Sequence, residues 1–141
     1  MTIYNSSVLS QETTAVDLDA YKESLDPVIE KIANIANDNS FQIIIVYHSE
    51  FTLTDLEGLI RTDHPEMADA FREVCDRYSV SFIDVSDMCI EHYQSTYEAP
   101  CGFMNSVIGS GHLNKTGHDI IAKAVYQKIC ELSGVEENDV Q

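Results

Sequence analysis

Positive charge is scarce in this chain. Its 8 Lys and Arg stand against 24 Asp and Glu, a formal net charge of -16. Such a surface repels nucleic-acid phosphates and anionic membrane headgroups, so no nucleic-acid partner is expected. Long apolar runs are also missing. The longest, Ile43-Ile44-Ile45-Val46-Tyr47, is far too short to cross a bilayer, and no membrane association is expected. The N-terminus lacks a basic region followed by an apolar stretch, and the simplest expectation is a cytoplasmic location. The four cysteines Cys75, Cys89, Cys101 and Cys130 form no C-x-x-C pair and no metal-ligand spacing with the histidines. They read as reduced structural thiols, and neither a metal nor another cofactor is expected. Only Cys101, in a Pro-Cys-Gly turn, invites a test of reactivity. Internal repeats and low-complexity linkers are absent.

What remains is a chain of 141 residues, the size of a single domain. Between Asp17 and Asp38 the residues Leu18, Tyr21, Leu25, Val28, Ile29, Ile32, Ile35 and Ala36 recur at threes and fours, one face of a helix, with Pro27 marking its true start or a kink. Asn37 to Ser40 ends it. Phe41 to Tyr47 is a continuous β-branched run that reads as a strand buried on both faces, as in a parallel sheet. Pro65 to Tyr78 repeats the helical stripe through Met67, Ala68, Phe71, Val74, Cys75 and Tyr78, and Val80 to Val85 repeats the strand. A short helix over Ser86 to Tyr93 follows, then an irregular stretch from Gln94 to Gly111 that carries Pro100, Gly102, Gly109 and Gly111. The last helix runs from Lys115 to about Leu132, with Asn114 as N-cap and Ile120, Ile121, Ala124, Val125 and Ile129 toward the sheet. The pattern divides the chain into an N-terminal segment 1–16, an α/β domain 17–132 and an acidic, disordered tail 133–141.

Two strands between three or four helices leave edges uncovered. The Ile3 to Leu9 segment, a second copy of the chain, or an N-terminal partner polypeptide are the three ways to cover them, and a homo-oligomer or such a complex is expected.

The chemistry concentrates in Gly109-Ser110-Gly111-His112-Leu113-Asn114-Lys115-Thr116-Gly117-His118. This segment resembles the catalytic-histidine end of a GDSL-type (SGNH) esterase, where a loop histidine precedes a Leu-Asn-x-x-Gly-His start of the last helix. The order of elements from about 17 to 132 is likewise similar to the C-terminal half of that fold. The resemblance implies a three-layer α/β/α architecture with a parallel, flavodoxin-like sheet, incomplete in this chain, and ester or acetyl-ester hydrolysis with His112 as general base. The implied substrate is a small-molecule ester or an acetylated carbohydrate. Two departures stand out: Gly109 occupies the position of the family's acid, and the N-terminal Gly-Asp-Ser nucleophile motif has no counterpart. Asn5 lacks the Gly-x-Asn-Asp surroundings of the family's oxyanion asparagine.

In such chemistry the histidine takes the nucleophile's proton and returns it to the leaving alcohol. With no acid at 109, its orientation falls to a backbone carbonyl, to Asp119 or to no residue. His48-Ser49-Glu50 lies at the carboxyl end of the first strand, where open α/β sheets bind ligands. His48, Ser49, Gly109 and Ser110 are therefore candidate pocket-lining residues, and a Ser49–His112 dyad is the local route to a complete hydrolase. Asp84 and Asp87 read either as an acid pair or as helix-capping carboxylates. The segment around His112 has an alternative reading as a plain helix start, in which Asn114 caps, Gly117 allows close packing and His112 bonds locally. A catalytically incomplete binding or assembly module, acting through an exposed sheet edge, is the competing function.

Overall fold

In the computed structural model of the protein, which describes residues 16–103 and 107–135, the Asp17 carboxylate starts the first helix by accepting the Ala20 N–H at 3.0 Å. Helix α1 spans Leu18–Asn39. It ends where Ser40 turns left-handed at φ 57° and its N–H returns to the Ala36 and Asn37 carbonyls. Pro27 therefore sits inside α1 rather than at its start.

Strand β1 covers Ile44–Tyr47. A hairpin that the sequence pattern did not announce comes next, with β2 at Phe51–Thr54 and β3 at Gly58–Arg61, paired antiparallel from Phe51↔Arg61 to Thr54↔Gly58. Helix α2, Pro65–Arg77, places Pro65 in its first turn, where no donor is missed. Strand β4, Ser81–Asp84, pairs parallel with β1 in the register Ile44↔Ser81 to Tyr47↔Asp84. Helix α3 then covers Ser86–Thr96, and α4 covers Lys115–Ser133 with Asn114 as N-cap and Gly134 as C-cap. The fold of the described residues is thus mixed α/β: four helices, a two-stranded parallel sheet and a separate hairpin.

Alternation along the strands divides the interior. Ile43, Ile45 and Phe82 pack into a cluster built on Ile29 and Ala33 of α1 and Val74 and Cys75 of α2. Val46 and Ile83 face a second cluster of Phe51 and Leu59 from the hairpin, Val85 and Cys89 at α3, and Ile120 and Ala124 of α4. Each fully buried Val or Ile contributes roughly 1.5–3 kcal/mol, so the two clusters anchor all four helices to a very small sheet.

That small sheet corrects two expectations. The strands are half-buried along their whole length, not sealed on both faces, because each has only one neighbour among the described residues. The apolar stripes are also wider than the surface they cover: Val28 and Ile35 on α1 and Ile129 on α4 remain 52%, 46% and 48% exposed. No helix among the described residues is long and apolar enough to cross a membrane. The proposed Ile3–Leu9 strand and most of the expected acidic tail lie outside the described residues.

Candidate functional site

Asn114 organises the start of α4. Its Oδ1 accepts the Gly117 N–H at 3.2 Å, and its Nδ2 donates to the carbonyls of Ala99 at 2.8 Å and Gly102 at 3.2 Å. One amide side chain thus satisfies a helix donor and ties the preceding loop to the helix. Backbone bonds complete the tie. Gly102 N–H donates to the His112 carbonyl at 2.9 Å, and Asn114 N–H donates to the Pro100 carbonyl at 3.0 Å. Cys101 and Leu113 form an antiparallel bridge between them.

His112 is presented at the top of this ladder with its side chain exposed. Among the described residues its imidazole forms no hydrogen bond. Asp119 is not its orienting acid, since that carboxylate bonds Lys115 Nζ at 2.9 Å, and the ammonium holds it below the usual carboxylate range. Gly109 is buried against the hairpin: a Cβ on it would stand 2.5 Å from Leu53 Cβ. A carboxylate side chain at this position would collide with β2, so the hairpin and an acid at 109 are mutually exclusive in this arrangement. Ser110 is half-buried, its N–H reaching the Val107 carbonyl at 3.4 Å.

At the carboxyl end of the parallel sheet the sequence candidates separate. His48 is exposed, with Nδ1 3.1 Å from the Ser49 carbonyl, a contact that requires the Nδ1–H tautomer. Ser49 is buried at 1% exposure. Its hydroxyl donates to Ser86 Oγ at 2.7 Å, and its N–H donates to the same oxygen at 3.0 Å. The Ser86 hydroxyl in turn donates to the Asp84 carboxylate, which also accepts the Ser86 N–H at 2.9 Å. Every proton in this chain of bonds is assigned, and the Ser49 hydroxyl hands its own to Ser86. Asp84 thus serves the start of α3 as a capping carboxylate, while Asp87 is 86% exposed.

Arg61 links this network to the hairpin. Its Nε bonds Asp63 Oδ1 at 3.4 Å, and Nη1 lies 3.9 Å from Asp84 Oδ2. Its buried Nη2 has no hydrogen-bond partner among the described residues. Tyr47, at the end of β1, donates its hydroxyl to Asp63 Oδ2 at 2.6 Å, and burial together with that carboxylate pushes the phenol up. Sequence reasoning missed Arg61, Asp63 and Ser86, because nothing local marks them. Only the Phe51-Thr52-Leu53-Thr54 alternation could have announced the hairpin that brings Arg61 to the sheet.

Cys101 is 1% exposed and burial raises its thiol, so the Pro-Cys-Gly turn encloses the cysteine instead of offering it for reaction. Among the described residues no group of three or more His, Cys, Asp or Glu is placed to hold a metal ion. Comparison with protein-family models, curated proteins and solved structures gives no match.

Proposed function

We propose that this chain is the histidine-bearing C-terminal half of a GDSL-type ester hydrolase, and that it becomes catalytic only when further polypeptide completes its sheet. The observation that carries this reading is the exposed His112 imidazole, held on a loop fixed at both ends and unbonded among the described residues. Ser49, the local alternative as nucleophile, is buried and already bonded to Ser86. His112 would take the proton of a hydroxyl supplied by the completing segment and return it to the leaving alcohol of a small ester or acetylated carbohydrate.

The architecture in this proposal is a three-layer α/β/α unit with a flavodoxin-like parallel sheet. Helices α1 and α2 pack in one cluster on one face, and parallel crossovers are right-handed. A parallel strand preceding α1 therefore belongs on the edge of β1 opposite β4, which is unpaired among the described residues. There it would extend the carboxyl edge toward which a nucleophile must be delivered.

A second reading has its own support. Phe41 and Leu132 line one cleft at the amino ends of β1 and β4 and are 48% and 39% exposed. Apolar surface at the end of a sheet whose outer edges are unpaired among the described residues suits an assembly module that recruits another copy or an upstream partner by strand addition. The deciding experiment is fluorophosphonate labelling of the purified chain followed by intact mass, with molar mass from light scattering. The expected result is no label on the chain alone and label on a completing polypeptide, lost in His112→Ala. Label on Ser49 of the isolated chain would overturn the proposal. A stable oligomer indifferent to His112→Ala, with no labelling in any complex, would favour the assembly module.

A further inference from the structure

The hairpin and the end of α3 flank an open cleft of about 530 Å³ lined by Leu53, Asp55, Glu57, Tyr93, Gln94 and Tyr97, among others. Its volume lies in the range of small-molecule sites. Neither His112 nor Ser49 belongs to it, so a ligand held there is independent of ester hydrolysis.

Two features make this cleft more than a gap between elements. The rings of Tyr93 and Tyr97 pack edge to face, 6.0 Å apart at an interplanar angle of 77°. The pair is held in place. Gly58 brings β3 against Tyr93, whose Cε1 would lie 3.0 Å from a Cβ at that glycine. Tyr97 closes α3 in the left-handed region at φ 61°, with its N–H on the Tyr93 carbonyl at 2.8 Å. A bulky residue in that conformation is strained. Asn or Gly would end the helix more comfortably, yet here a tyrosine ends it and is 80% exposed.

The chemistry of the lining selects one class of ligand. The aromatic faces carry negative potential and attract cations, most of all alkylated ammonium groups that need no hydrogen-bond acceptors. Asp55 and Glu57 add carboxylates at the hairpin end of the same cleft, and no Lys or Arg among the described residues lines it. The chain's net charge of -16 raises the local concentration of any cation. An anion would meet only repulsion here, and a neutral apolar solute would gain nothing from the two acids.

We infer that the Tyr93–Tyr97 cleft binds a small alkylammonium solute, with a tyrosine ring face against the cationic head and Asp55 and Glu57 balancing its charge. Choline is the probe, and 3,3-dimethylbutan-1-ol is its neutral isostere of nearly the same shape. Titration of the full chain, followed by calorimetry and by the NMR signals of the tyrosine rings at constant ionic strength, is expected to give saturable choline binding on the order of 1 mM. The isostere is expected to bind about tenfold more weakly or worse. Tyr97→Asn keeps a residue that tolerates the left-handed cap and so preserves the fold, which circular dichroism checks. It is expected to weaken choline about fivefold or more, as is the Asp55→Asn/Glu57→Gln double variant. Three results would each overturn the inference: no saturation, equal binding of the isostere, or binding unchanged in a folded Tyr97→Asn.

Discussion

Gly117 of α4 lies so close to Pro100 that a Cβ built on the glycine would stand 2.3 Å from the proline carbonyl oxygen. Leu113 crowds the same point, its Cδ2 2.7 Å away. Replacing a helical glycine by alanine ordinarily stabilises a protein by about 1 kcal/mol. Here the clash is with backbone, which cannot rotate aside, and overpacking of this kind costs about 1–3 kcal/mol. Gly117→Ala is therefore expected to destabilise the chain, and a urea titration measures it. An unchanged or raised midpoint would mean that the loop is free to move away from α4.

The neighbouring cap makes a sharper prediction. Aspartate is as good a helix N-cap as asparagine, so a purely capping role predicts that Asn114→Asp is nearly neutral. Asn114 also donates through Nδ2 to the Ala99 and Gly102 carbonyls, and a carboxylate would face both oxygens with no proton. Asn114→Asp is accordingly expected to lose at least as much stability as Asn114→Ala, which should cost about 2–3 kcal/mol from the cap and the abandoned carbonyls together. Equal stability of wild type and Asn114→Asp in urea would show that the two loop bonds contribute nothing.

These two residues also mark what could be read from the sequence alone. Asn114, Gly117 and the apolar spacing of α4 act within a few positions of one another, so their pattern announces the helix start and the loop that presents His112. Val28 and Ile35 share the apolar face of α1, and Ile129 is expected toward the sheet, yet all three stay about half exposed for a tertiary reason: periodicity shows which residues share a helix face, but not how much sheet is available to cover it. The hairpin escaped because its Asp55-Leu56-Glu57 turn lacks the Asn-Gly or Asp-Gly signal and each of its strands has only four residues. The local sequence makes Ser49 a pocket candidate because its partner Ser86 is 37 positions away. Nothing in the local sequence says that the two hydroxyls meet.

That buried pair gives the third prediction. Ser86 Oγ accepts both the N–H and the hydroxyl of Ser49 and donates to Asp84, so Ser86→Ala strands several polar groups at a site where Ser86 is 0% and Ser49 1% exposed. Leaving buried polar groups unpaired costs about 1–3 kcal/mol each. Ser49→Ala removes one donor and leaves Ser86 with its bonds to Asp84 and to the residue 49 N–H, for a cost of about 1 kcal/mol. The expected order of destabilisation is Ser86→Ala well above Ser49→Ala, by chemical denaturation. The reverse order would mean that Ser49 is the centre of the network and Ser86 only its neighbour.

The thiols make stability fall at high pH. Burial pushes Cys75 from its ordinary value of 9.0 up to about 11 and Cys89 up to about 12, with Asp76 adding to the first and Cys101 and Asp84 to the second. Cys101 is raised by burial as well. Because the folded protein holds these protons more tightly than the unfolded chain, the contribution is fully present below pH 9, where both states are protonated. Above pH 9 the unfolded thiols ionise first, and stability declines until the folded thiols follow, through about pH 11 for Cys75 and about pH 12 for Cys89. Each group contributes a slope of at most ~1.4 kcal/mol per pH unit within its window. Urea midpoints measured from pH 7 to 11 under reducing conditions should stay level to about pH 9 and then drop, and Cys89→Ala should start from a lower midpoint yet fall less steeply. A profile of identical steepness in Cys89→Ala would mean that this thiol ionises as readily in the folded protein as in the unfolded chain, and that the enclosure seen around it opens in alkaline solution.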